Sequence, residues 1–224
     1  MFEKMRKACL VILISVLSIS TWEVGKKQYG YIKSRITYKR EQENIDKTEN
    51  VQKYLSENDF DWIKVSGTSI NYPLVSHENN EYYLTHDYKG EDSISGAIYY
   101  DASDEKYNGR LTVIFGHSMK DGSMFNNLHY FSNKERFKTS RLYINTTEGE
   151  KTYKPLGYDI YNGSNPYYRK IDDMNSEEAV AYLKENSDYF IDYVDIDENA
   201  HIIALVTCDY SIDNGRVVVF YISE

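Results

Sequence analysis

Cys208 is the residue of this sequence that is best placed for covalent chemistry. It follows the apolar run 202–207, which predicts a buried strand that would hold the thiol at its rigid end. Arg216 comes eight residues later, after the turn-like segment 209–215. A strand–turn–strand hairpin would return this guanidinium to the thiol, where it could stabilise an oxyanion during acyl transfer. The alternative is a surface arginine at the start of an edge strand.

A histidine is the usual partner of a catalytic cysteine, because imidazole can take and return the proton. Of the five histidines, His117 differs from the rest. It ends the apolar strand predicted at 110–115 and follows Gly116, at a corner between strand and loop. An ordinary hydrogen-bonding role is the alternative for His117. It is also the simpler interpretation of the other four, which lie in polar or mixed contexts: His77, His86, His129 and His201.

The cysteine count is compatible with a reactive thiol. Cys9 lies inside an apolar run, which leaves Cys208 without an intramolecular disulfide partner in the rest of the chain. An unpaired thiol in an exported domain indicates a reactive group or an intermolecular bond. A buried, inert cysteine is the other possibility.

Several other functions are disfavoured by the sequence. It contains no C-x-x-C, H-E-x-x-H or glycine-rich phosphate-binding motif, so no metal and no cofactor are expected. The net charge of −9 is unevenly spread, because residues 1–27 carry five basic residues against two acidic ones. The remaining chain is therefore strongly acidic, which argues against a nucleic-acid partner.

The N-terminus is expected to anchor the protein in a membrane. Residues 8–21 are uncharged and apolar, and residues 8–25 reach the lower limit for a spanning helix. A cleaved signal peptide is the alternative, but no small-x-small cleavage site follows the run. The preceding basic residues predict a cytoplasmic tail over 1–7 and place the rest of the chain outside the cell.

The remainder is predicted to be a polar stalk with the start of a helix over 26–50, and then one domain over 51–224. A helix is expected near 51–55, a short one at 124–131, and a clear one at 176–186 with Asn175 or Ser176 as its N-cap. Many short strands and few helices are typical of a barrel or a sandwich. The predicted strands are 62–65, 70–75, 97–100, 110–115, 141–145, 151–161, 201–207 and 216–222.

Taken in order, these segments resemble class B sortases, a family of cysteine transpeptidases. The sequence Leu-Val-Thr-Cys at 205–208, with arginine eight residues later, is similar to the family signature. The segment around His117 is similar to the class B histidine motif. This segment spans 114–128, and further similar segments lie at 62–75, 80–84 and 95–101, so that the resemblance covers roughly residues 50–224.

The resemblance implies a mostly β fold with a few helices, built as a closed eight-stranded barrel with the site at one end. It also implies a reaction. Cys208 would attack the threonine carbonyl of a C-terminal sorting signal of the Asn-Pro-x-Thr type. His117 would act as general acid and base, and Arg216 would hold the substrate and the oxyanion. Residues Asn80, Leu84 and Thr207 match substrate-pocket positions of the family.

The same resemblance implies the partners. These are surface proteins with sorting signals and an amine of peptidoglycan or of its lipid-linked precursor, at the cell membrane of a Gram-positive type surface. Two departures from the family pattern bear on the signal: Val206 replaces a frequent serine, and Asp209 puts a carboxylate beside the thiol or points away from it.

Ordinary pKa values of about 6.5 for histidine and 8.5 for cysteine make the thiolate–imidazolium pair a minority at neutral pH, so slow turnover is predicted. Two other functions stay open at this point. A surface cysteine protease would use the same nucleophile with water as acceptor, and a membrane-tethered binding domain would bury an inert Cys208.

Overall fold

The structure is a computed structural model, and it describes residues 2–103, 109–193 and 196–224. Met1, at the start of the predicted cytoplasmic tail, lies outside the described residues. The side chain of Ala8, within the predicted span, is likewise not described.

Eight strands form a closed barrel, as the resemblance implied. They follow one another in the order β5-β1-β2-β3-β4-β8-β9-β6, and β6 pairs with β5 to close the circle. The two-residue β7 adds to β6 outside this circle. The strands are β1 Asp61–Val65, β2 Asn71–Val75, β3 Ile98–Tyr100, β4 Leu111–Phe115, β5 Leu142–Thr146, β6 Gly149–Asn162, β7 Tyr189–Phe190, β8 Ile202–Cys208 and β9 Gly215–Ser223.

Strand β8 lies at the centre of the hydrophobic core. Six of its seven residues are buried, because alternate side chains enter two different clusters. Ile203 and Leu205 pack among the residues that fill the barrel. Ile202, Ala204 and Val206 pack on the opposite face, in the cluster covered by a helix. A strand held on both faces gives its last residue a fixed position, and that residue is Cys208.

Within the described residues, four α-helices accompany the barrel: α1 Phe2–Lys47, α2 Val51–Asn58, α3 Lys134–Lys138 and α4 Ser176–Asn186. The same part of the chain has three 3₁₀ helices in its connections: Tyr82–Leu84, Phe125–Ser132 and Tyr167–Asp173. Asn175 caps α4 in a reciprocal capping box with Glu178, which satisfies backbone donors at the start of the helix. This helix covers the outer core cluster with Ala179, Val180 and Leu183.

Helix α1 is one continuous element that combines two environments. Its 46 residues extend over about 68 Å. An 18-residue window within it has a mean hydropathy of 1.9 and no buried residue among those that the structure describes, so the helix is long and apolar enough to cross a membrane. Its C-terminal part packs on the barrel through buried Tyr38, Glu41 and Ile45. The polar stretch after residue 25 therefore continues as helix and contacts the domain.

Candidate active site

One pocket at an end of the barrel contains all six residues predicted from the sequence. It encloses about 260 Å³. The pocket is lined by Asn80, Glu81, Leu84, Tyr99, Phe115, Gly116, His117, Val206, Thr207, Cys208 and Arg216. The floor comes from the ends of β4, β8 and β9, and one wall comes from the loop that follows β2. Residues distant in the chain are thus brought to one small space.

Cys208 and Arg216 are directly opposite each other in the antiparallel ladder of β8 and β9. The predicted hairpin is present, and Asp209 N donates to Gly215 O at 2.9 Å where the two strands meet the turn. Side chains of directly opposed residues lie on the same face of a sheet, with Cβ atoms about 5 Å apart. The thiol and the guanidinium therefore share one side of the pocket because of backbone pairing.

The guanidinium of Arg216 is held by the turn that precedes it. Its Nη1 donates to the carbonyls of Gly215 at 2.8 Å and Asn214 at 3.4 Å. Gly163 lies against the side chain: a Cβ at this position would be 3.1 Å from Cγ of Arg216. One nitrogen is thereby used for positioning, and the other donors of the fork make no hydrogen bond to the residues that the structure describes.

His117 follows β4 and is oriented by the wall of the pocket. Its Nε2 lies 2.8 Å from the carbonyl oxygen of Leu84. A carbonyl can only accept, so Nε2 must carry a proton and donate it. In the neutral ring the acceptor lone pair then belongs to Nδ1, which is the nitrogen that can take a proton during a reaction.

Gly96 permits the close approach of this wall to His117. It has φ +57°, and a Cβ there would lie 2.3 Å from the carbonyl oxygen of Tyr83 and 2.9 Å from Cδ2 of His117. Both the left-handed conformation and the lack of space require glycine. The carbonyl of Gly96 also accepts a hydrogen bond from the Tyr38 hydroxyl, at 2.6 Å, which connects α1 to the site.

Thr207 joins the two segments that carry the candidate catalytic pair. Its side chain is buried, and Oγ1 donates to the carbonyl of Gly116 at 2.7 Å. This bond links the residue before Cys208 to the residue before His117. The predicted substrate-pocket position is therefore in the pocket, while its hydroxyl is engaged with the backbone.

Asn80 is half-buried and hydrogen-bonded to the buried Asp101 beside the pocket. Its amide donates to Asp101 Oδ1 at 3.0 Å, and its oxygen accepts from the Ala102 amide at 2.8 Å. Burial alone would raise the pKa of the Asp101 carboxyl, but hydrogen bonds from Asn80 and Ser103 and the charge of Arg169 lower it. The anionic Asp101 thus fixes Asn80 at the pocket wall.

Tyr99 lines the pocket, although the sequence did not predict it as a site residue. It lies in β3 and is buried. Burial, together with the nearby Asp101 and Cys208, raises the pKa of its hydroxyl to about 12, so that it stays neutral. The only signal in the sequence was its place within the family-like segment 95–101, since tyrosines are abundant in this chain and usually pack in strands.

A second histidine connects the segments that follow the candidate nucleophile and base. His129 Nδ1 lies 3.4 Å from Oδ2 of Asp209, and its Nε2 lies 3.2 Å from Oγ of Ser118. The other oxygen of Asp209 accepts from the backbone amide of Ser211 at 2.8 Å. The carboxylate beside the thiol is therefore engaged by its own loop and by His129.

Comparison with known proteins decides the family. The sortase domain family matches residues 63–221, which is more than half of the chain. The chain belongs to the sortase family. Sortase B of Listeria monocytogenes is 27% identical over 95% of this chain and 94% of its own length, and sortase B of Staphylococcus aureus is 30% identical over 70% and 67%.

The structural comparison agrees on the class. A crystal structure of sortase B from Bacillus anthracis superposes with a TM-score of 0.72 and 30% identity, covering 87% of this chain and 98% of that one. A sortase B structure from Clostridium perfringens gives a TM-score of 0.68 and 28% identity over 77% and 99%. The resemblance found in the motifs is confirmed: this sortase is of class B.

Proposed function

We propose that this sortase is a membrane-anchored cysteine transpeptidase that cleaves a C-terminal sorting signal of the Asn-Pro-x-Thr type after threonine and joins the new end to a cell-wall amine. The observation that carries the proposal is the convergence of Cys208, His117 and Arg216 on one pocket, with Cys208 and Arg216 paired across two strands. Anchoring through 8–25, with the barrel outside the cell, is part of the same proposal.

The first half-reaction would form a thioester. The thiolate of Cys208 attacks the threonine carbonyl, and the negative charge moves to the carbonyl oxygen, where Arg216 provides donors. The carbon–nitrogen bond then breaks as the protonated Nδ1 of His117 gives its proton to the leaving amine. The downstream peptide departs, and the threonyl group stays on sulfur.

The second half-reaction would transfer the acyl group to the acceptor. A primary amine attacks the thioester carbonyl, and the neutral Nδ1 of His117 takes the amine proton. Collapse of the tetrahedral intermediate breaks the carbon–sulfur bond and returns the Cys208 thiolate and the imidazolium to their starting state. No external acid, base or oxidant is needed.

The pocket supports a peptide substrate. Its lining combines apolar Leu84, Phe115 and Val206 with polar side chains, among them those of His117 and Arg216 beside Cys208. Such an arrangement is suited to holding an apolar part of a short peptide and aiming one carbonyl at the nucleophile. Cys208 is itself partly exposed, which favours an enzyme over a binding domain with an inert thiol.

Product analysis tests the proposal. The full chain is incubated with an Asn-Pro-x-Thr peptide and either triglycine or a diaminopimelate-containing peptide, and products are identified by mass spectrometry. We expect an amide between threonine and the acceptor, and no product with Cys208→Ala. If hydrolysed acid alone forms with every acceptor, the protein is a protease and the transpeptidase proposal is wrong.

A further inference from the structure

Helix α1 is clamped to the loop that contacts His117. A Cβ on Gly30 would lie 2.9 Å from the side chain of Ile94, so helix and loop are in direct contact there. The hydroxyls of Ser34 and Ser93 are 3.0 Å apart, and Tyr38 reaches the carbonyl of Gly96. The height of this loop above the membrane is therefore set by the position of α1.

Helix geometry gives that height. The predicted span ends at Gly25, and Gly30 lies five residues further along α1, a rise of about 7.5 Å. The headgroup layer on each side of a bilayer is roughly 5–8 Å thick. Ile94, opposite Gly30, would thus lie at the outer edge of the headgroups, and the active-site end of the barrel lies at the same level.

A groove of about 710 Å³ between α1 and the barrel is at this level too. Its barrel side includes His117 and Tyr210. Three lysines line it, Lys26 and Lys27 from α1 and Lys120 from the loop after His117, against a single acidic residue, Glu23. This local excess of positive charge contrasts with the net charge of −9 and complements anionic headgroups.

Exposed apolar side chains border the same groove. Tyr210 and Ile94, which line it, are 80% and 44% exposed, and Ile212, in the same turn as Tyr210, is 44% exposed. A tyrosine with an apolar ring and a polar hydroxyl is suited to the boundary between lipid and water. An exposed apolar rim beside basic residues is typical of a surface that rests on a membrane.

We propose that the active-site end of the barrel is seated on the anionic headgroup layer of the membrane that α1 spans. Tyr210 inserts into the layer, and Lys26, Lys27 and Lys120 contact lipid phosphates. The inference rests on the proposed membrane anchoring. Its consequence is that substrates which are themselves held in the membrane reach Cys208 along the bilayer surface.

Fluorescence quenching in nanodiscs tests the seating. The full chain carries Cys9→Ser and Cys208→Ala, and a single environment-sensitive dye is attached through Tyr210→Cys. Nanodiscs contain phosphatidylglycerol and a lipid with a shallow nitroxide quencher. Asn199→Cys is the matched control. Asn199 is exposed and lies just before β8, whose length of about 20 Å separates it from Cys208 at the other end of the strand. Trp22→Cys reports on α1.

We expect quenching at position 210 to approach that at position 22 and to exceed that at 199 at least threefold. Equal quenching at 210 and 199, with strong quenching at 22, overturns the seating but leaves the anchoring intact. Absence of quenching at 22 overturns the anchoring, and the seating with it.

The lysines are tested by changing the lipid charge. Replacing phosphatidylglycerol with phosphatidylcholine should lower quenching at 210 at least twofold. The combined variant Lys26→Gln, Lys27→Gln, Lys120→Gln should show the lower value in both lipids, since each lysine near an anionic surface changes the binding equilibrium by about fivefold. If this variant retains the full response to lipid charge, the assigned role of the lysines is wrong.

Discussion

The carboxylate of Asp209 lies 3.4 Å from Nδ1 of His129. Because His129 also reaches Ser118, it connects the residue after Cys208 with the residue after His117. It adds to the Thr207–Gly116 hydrogen bond, which joins the same two segments one residue earlier. The contact therefore helps to fix the relative positions of thiol and imidazole.

Replacing His129 should reduce the rate without preventing substrate binding. For His129→Ala we expect a fall in kcat of roughly tenfold with little change in KM, since a misplacement of about 1 Å at a reacting group has a large kinetic effect. Kinetics of Asp209→Ala and of the double variant complete a mutant cycle. If the two losses multiply in the double variant, the contact does not act as a unit.

Catalysis is expected to need both the planar guanidinium and the positive charge of Arg216. Arg216→Lys keeps the charge but loses the planar fork of donors, and we expect kcat to fall by roughly 10²-fold or more. Arg141→Lys is the matched control, because Arg141 pairs with Glu224 at the far end of β9. Similar losses in both variants, measured with the same peptide and acceptor, would exclude a specific role for Arg216.

Gly96→Ala should damage the site more than its backbone strain alone explains. Gly67→Ala is matched in conformation, with φ +74° against +57°, but a Cβ at Gly67 meets nothing within 4 Å. Both substitutions place alanine in the left-handed region of backbone conformation, which lowers the free energy of unfolding by about 1 kcal/mol. We expect Gly67→Ala to keep its activity, and Gly96→Ala to lose most of it as His117 is displaced. Unfolding curves and initial rates for both variants separate the two effects.

The buried His201 should lower the free energy of unfolding in acid. Burial, with a further contribution from Lys151, lowers the pKa of His201 to about 4, whereas the unfolded chain has about 6.5. Between these values the unfolded state binds the extra proton, so stability is complete above pH 6.5 and falls as the pH is lowered towards 4. The free energy of unfolding falls by about 3 kcal/mol in total over this range.

Chemical denaturation of the full chain in detergent between pH 7.5 and 4.5 measures this loss. His201→Gln should flatten the pH dependence in that window, and His77→Gln should leave it unchanged. An equal slope in wild type and His201→Gln would show that other groups cause the acid sensitivity.

The strands of the barrel could be predicted from the sequence because each is a short apolar or alternating run. All eight expected runs overlap β1–β6, β8 and β9 within a few residues. The helix predicted at 124–131 is a 3₁₀ helix at Phe125–Ser132, a distinction that periodicity over so few residues does not make. The short α3 and β7 gave no signal of their own.

The packing of α1 on the barrel was hidden because part of its buried face is polar. Glu41 is 3% exposed, and its carboxylate accepts hydrogen bonds from the hydroxyls of Tyr54 and Tyr88. A search for apolar spacing passes over such a face. The contact of Asp209 with His129 was hidden for a similar reason, since it depends on where two loops meet.

The site divides between two kinds of support. Cys208 and Arg216 belong to a hydrogen-bonded ladder, whereas Asn80, Glu81 and Leu84 belong to the connection between β2 and β3. Selectivity for a peptide can therefore diverge by changes in one connecting segment while the reactive pair stays fixed. Grafting that segment between sortases should transfer signal preference without rebuilding the machinery, provided that the Leu84 carbonyl and Gly96 are kept.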